Sequence, residues 1–127
     1  MSSDRGINSL FDRLDEHLEK CEDDMSKKDY NLASHHAKEA MKSFASPLIL
    51  KMPKLHPTNR EEAQNRLKEK IKKEYVVNEA EAFLRQAKND LNQESTRRIR
   101  MGHKREVDKL ESVVELLREL FSSLKGL

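Results

Sequence analysis

Along most of this chain the hydrophobic positions recur in steps of three and four, the rhythm of one helical face. Ile7, Leu10, Phe11, Leu14, Leu18, Cys21 and Met25 form the first stripe. It predicts a helix starting near Asn8 or Ser9, with Ser9 and Asp12 in capping-box spacing. Ser26-Lys27-Lys28-Asp29 reads as a short turn. A second helix is expected from about Asp29 to Leu50, on Tyr30, Ala33, Ala37, Ala40, Met41, Phe44 and Leu48. Its alanines let a neighbouring helix approach closely. Pro47 should kink or end it, because proline lacks an N–H and crowds the preceding turn.

Residues 51–58, with Pro53 and Pro57, form the expected loop. Thr58 or Asn59 should cap a third helix ahead of Glu61 and Glu62. That helix carries Ala63, Leu67, Ile71 and Tyr75 or Val76 inward, and Arg66, Lys68, Lys70, Lys72 and Lys73 outward. Asn78 and Glu81 are spaced as a cap, which places a break near Val77 before the stripe resumes at Ala80, Phe83, Leu84, Ala87 and Leu91. From Asn92 to Met101 the stripe nearly vanishes and Gly102 comes next, so a break, bend or exposed stretch is expected there. His103, Val107, Leu110, Val114, Leu117, Phe121 and Leu124 then step alternately by four and three, a heptad seam. This helix-association face could serve the inside of a bundle or a second copy of the chain. The intramolecular use is favoured, since the other helices need a partner for their own stripes. The pattern as a whole predicts an all-α fold, an antiparallel up-down bundle of four to five helices. It would form one domain over residues 1–127, with a flexible stretch at 1–6.

Composition narrows this further. Of 127 residues, 35% are hydrophobic and 38% charged, so burial has to be efficient, and amphipathic helices achieve that. Strand-forming residues never alternate over a useful length. Cys21 is the single cysteine, which excludes an internal disulfide, and its place on the first stripe makes it a core residue rather than a nucleophile. No apolar run approaches the roughly 20 residues that span a bilayer. The opening Met1-Ser2-Ser3-Asp4-Arg5 lacks the apolar core of a secretion signal. A cytoplasmic protein with no membrane partner is the expectation.

The net charge of +2 points to no partner, but its distribution is uneven. Residues 1–26 hold three basic and eight acidic residues, a net of −5, and residues 51–73 hold eight basic and three acidic, a net of +5. Arg97, Arg98, Arg100, Lys104 and Arg105 put five positive charges in nine residues beside His103. Together with Lys68, Lys72 and Lys73 they are the candidate binding residues for phosphate. The bland alternative is a solvated face that pairs with the acidic first helix. Aromatic residues are absent from residues 97–105, which gives base stacking little support. His35, His36 and His56 show no convergent ligand spacing, so neither a metal site nor a cofactor is expected.

Two motifs carry family resemblances. Tyr30-x2-Ala33-x3-Ala37-x2-Ala40-x3-Phe44, coming after the first helix, resembles the helical hairpins of tetratricopeptide repeats and MIT domains. That likeness implies a groove for a partner helix. Tyr30, Ala33, His36 and Ala37 are also similar to a Tyr-x2-Ala-x2-His-Ala run of HEPN-domain proteins, and Arg98-x4-His103 resembles the Arg-x4–6-His motif of HEPN ribonucleases. The HEPN resemblance implies metal-independent RNA cleavage. His103 would be the general acid or base and Arg98 would stabilise charge on the phosphate, where two subunits meet. Ile99 departs from the polar residue usual after the motif arginine, and His103 also lies on the heptad seam. The leading expectation is a non-enzymatic interaction module that binds a partner protein, or itself as a homodimer, through helix faces. A HEPN-like RNA-binding or RNA-cleaving protein and a nucleic-acid-binding accessory protein are the alternatives.

Overall fold

In the computed structural model, backbone is described for residues 2–127 and side chains from Gly6 onward. Met1 lies outside the described residues, and with it part of the stretch expected to be flexible. Helix α1 spans Ser2–Ser26, so it begins well before the expected cap at Ser9. It stops at a Schellman motif. Lys28 adopts φ 62°, the Lys28 N–H donates to the Met25 carbonyl, and the Asp29 N–H donates to the Asp24 carbonyl at 2.9 Å.

Asp29 then caps α2 (Tyr30–Glu39), its carboxylate accepting from the Leu32 N–H at 3.3 Å. Helix α2 runs into a π-type turn (Ala40–Ala45) and on into α3 (Ser46–Lys51). Pro47 therefore neither ends nor breaks the rod as expected. The ladder widens for one turn ahead of it, and both the N–H and the hydroxyl of Ser46 bond the Met41 carbonyl. The extra residue rotates the downstream positions by about 100°. Ala45 accordingly reaches the core, while Met41 and Phe44, expected there, are half-buried.

The Pro-bounded loop is shorter than the 51–58 expected. Met52–Lys54 forms a 3₁₀ turn, and only Leu55 and His56 separate it from α4 (Pro57–Ile71). Both prolines occupy opening helical positions, where the missing N–H costs nothing, and His56 rather than Thr58 or Asn59 is the cap. A 3₁₀ turn at Lys72–Glu74 joins α4 to α5 (Tyr75–Gln93), so the irregularity falls before Val77 rather than at it. Val76, not Tyr75, points inward. Residues 94–96 form the last connection. Helix α6 (Arg97–Lys125) comes next, and it runs straight through Gly102.

Four long rods result, packed as a helical bundle, with α6 against α5 and α2, and α1 against α2 and α4. Phe11, Leu14, Leu18, Leu110, Leu117 and Phe121 are fully or almost fully buried, each contributing about 1.5–3 kcal/mol. Val107, Leu110, Val114, Leu117, Phe121 and Leu124, the proposed association face, all lie in this core. Val113 and Leu120 join them, so α6 buries a broader face than a two-position seam. The seam is covered by the chain's own helices, which removes it as a surface for a second copy.

Candidate functional site

The two basic clusters have different fates. On α4, Arg66 donates to the Asn8 side-chain oxygen at 2.8 Å and to the Asp12 carboxylate, and its guanidinium lies over the Phe11 ring. Lys70, expected on the outer face, is buried and reaches Asp15 at 3.4 Å. Lys73 donates to Asp15 and lies 3.4 Å from Glu19. Burial alone would raise the Asp15 pKa, but the hydrogen bond from Lys73 and the charge of Lys70 outweigh it and hold the carboxyl below its ordinary value. Lys72 pairs with Glu69 in the last turn of α4. The opposite charges of residues 1–26 and 51–73 are thus partly matched within the chain, through Arg66, Lys70 and Lys73. Of Lys68, Lys72 and Lys73, only Lys68 lacks an ion-pair partner among the described residues.

The start of α6 is different. Thr96 occupies the cap position in an extended conformation, but its side chain makes no capping bond. Its own N–H is held by the Glu94 carboxylate at 2.9 Å. The first turn carries three arginines and no acid. A helix N-terminus is the positive end of the macrodipole, so these cations sit where they stabilise the helix least and an anion would stabilise it most. Arg97, Arg98, Arg100, Lys104 and Arg105 are all exposed, and none has an ion-pair partner among the described residues.

Helical geometry sorts these five. At 100° per residue, Arg97, Arg100, Met101, Lys104 and Asp108 share one stripe, and Arg98 and Arg105 share a flank about 90° away. The first stripe borders a cleft of about 460 Å³ whose apolar lining comes from Leu91 of α5 and from Met101 and Val107 of α6. Leu91, Met101 and Asp108 were not apparent as site residues. Pairing the end of α5 with the start of α6 is a tertiary fact that no local pattern encodes.

Arg98 and His103 do not converge within one chain. Five residues apart on α6, they point about 140° from one another. Arg98 is exposed, whereas His103 is half-buried, with a buried Nδ1 that finds no partner among the described residues. His103 lies instead near Glu94, whose pKa is held low first by the Thr96 N–H and further by the His103 charge.

No family model, curated protein or solved structure matches this chain.

The remaining reactive groups form no second site of this kind. Among the described residues no three His, Cys, Asp or Glu side chains gather as a metal site. Cys21 is buried, and burial first, then the charges of Asp24 and Glu22, push its thiol up to about 12, which leaves it unreactive. His17 and His36 meet at the α1–α2 crossing, a pair not anticipated from sequence because their partners lie on different helices. Glu22 of α1 faces Glu79 of α5, and burial, then the Glu79 hydrogen bond and charge, raise its pKa to about 7. Among the described residues no helix is long and apolar enough to cross a membrane.

Proposed function

We propose that this chain is a non-enzymatic binding protein that grips the phosphate backbone of a nucleic acid with the tip formed by the end of α5 and the start of α6. One observation carries the reading: the α6 cluster keeps five cations unpaired among the described residues, while most of the α4 cluster is spent on α1. All five are on the first two turns and a half of a helix whose dipole adds to their field. Four are arginines, whose planar donor forks match phosphate oxygens. A partner helix against the heptad seam is less well supported, because that face is already covered. The RNA-cleaving alternative needs Arg98 and His103 to come together from different chains.

The test is binding of a labelled 12-nucleotide RNA across a salt series. Five phosphate contacts on a single strand give a slope of log K against log salt of about −3.5. Replacing Arg97, Arg100 and Lys104 together by Gln should reduce that slope by about 2. An affinity unchanged between about 50 and 200 mM salt would overturn the proposal. Cleavage of the RNA that disappears in His103→Ala would replace it with the enzymatic alternative.

A further inference from the structure

We infer that the cleft beside the basic stripe seats one unpaired nucleobase, so that the tip takes single strands in preference to duplexes and favours bases that carry an exocyclic amino group. This rests on the phosphate-binding reading above and goes beyond it, because phosphate contacts alone position a polymer without reading it.

Shape selects the single strand. The stripe Arg97, Arg100 and Lys104 does not lie on a flat face but along the rim of a cleft with an apolar lining. Phosphates of a duplex can meet the rim, but their bases are paired inside the helix and cannot enter. A single strand can leave its phosphates on the rim and turn a base inward. Leu91 and Val107 then cover the base from one side. Met101 stands at the mouth, 53% exposed, and offers a polarizable sulfur to the ring. The contact is aliphatic, in keeping with the absence of aromatic residues from residues 97–105.

Chemistry at the far end sets the preference. Asp108 also lines the cleft, one helical turn beyond Lys104, and it has no ion-pair partner among the described residues. Its carboxylate repels phosphate, which confines the backbone to the arginine end. It can only accept hydrogen bonds, so its partner must be a donor. The amino groups of cytosine and adenine are such donors, and pairing of Asp with the cytosine amine is a known geometry in base recognition. Uracil presents a single N–H between two carbonyl oxygens, which face a carboxylate unfavourably.

A lipid surface is less well matched. Ile99 and Met101, the exposed apolar residues of this stretch, point about 160° apart on α6, so no continuous apolar face is available to insert.

The experiment measures binding of 12-nucleotide oligo(C), oligo(A) and oligo(U) RNA, a 12-base-pair RNA duplex, and vesicles containing anionic lipid. Oligo(C) and oligo(A) should bind about fivefold more tightly than oligo(U). Asp108→Asn, which supplies both donor and acceptor, should erase that ratio even as removal of a negative charge raises every affinity. Met101→Ser, at an exposed position, should weaken single-strand binding about threefold and leave the duplex unchanged. Equal single-strand and duplex affinities, unmoved by either variant but still steeply salt-dependent, would overturn this inference and leave phosphate binding standing. Failure to bind any of the RNAs, with or without vesicle binding, would overturn both.

Discussion

His17 of α1 and His36 of α2 meet Nδ1 to Nδ1 at 3.0 Å, a distance that has room for one hydrogen and not two. The His36 Nε2 lies 3.6 Å from the Asp24 carboxylate, Phe44 stacks on His17 with ring centroids 5.0 Å apart, and His35 meets His36 edge-on. The pair can hold one positive charge, passed across the shared hydrogen, but a second would set two N–H groups against each other.

Acid should therefore loosen this crossing. Burial first, then the charges of His36 and Lys20, lower the His17 pKa below 6.5, with Glu16 and Glu39 opposing. A histidine whose folded pKa is depressed binds fewer protons folded than unfolded, so stability rises with pH toward 6.5 and falls as pH drops below it. In urea unfolding at about pH 5 and pH 7, His17→Gln should shrink the wild-type stability difference between the two, by less than about 1 kcal/mol because solvent screens this half-buried ring. Equal pH dependence in the two proteins would refute this account.

Glu22 acts in the opposite sense. Its folded pKa of about 7 lies above the ordinary 4.5, so its ionisation costs stability as pH rises between those values. Glu22→Gln should stabilise the protein at pH 8 by up to about 1 kcal/mol, since solvent screening keeps the gain well below the full electrostatic figure. The gain should shrink toward zero near pH 4. Comparing each variant with wild type separates the two opposing effects; a Glu22→Gln gain that is the same at both pH values would refute this account of Glu22.

Gly102 lies inside α6, and a Cβ built there meets nothing within 4 Å. Gly102→Ala should therefore stabilise α6 by about 0.5–1 kcal/mol, through the unfolded chain's lost freedom as much as through helix propensity. Thermal unfolding should shift upward by about 2–6 °C. No shift, or a fall, would mean that the start of α6 is held by something other than a regular helix.

Much of the fold was legible because burial in a helical bundle repeats every three or four residues, and α1, α2 and the end of α6 keep that rhythm. Helix ends were read less well. Asp29 was read as a turn residue at the start of the second helix and proves to be its cap, His56 is an unusual cap, and α1 starts upstream of a capping box that is not used. Reading Pro53 and Pro57 as a loop overlooked how readily proline begins a helical turn. The α6 cations could be found by counting, whereas which of the two basic clusters α1 would neutralise depended on tertiary placement. Leu91, Asp108 and the His17–His36 pair are joined only by helix crossings, and no spacing in one segment announces them.

The widened turn before Pro47 makes segment length a carrier of information in its own right. Six residues there do the spatial work of about five in a regular helix, and the surplus residue turns the Phe44 ring sideways onto His17 while Ala45 fills the interior. Shortening the stretch 40–45 by a single position would restore an ordinary ladder and swing the benzyl group inward. The imidazoles would then lose their lid without any change in their own identity.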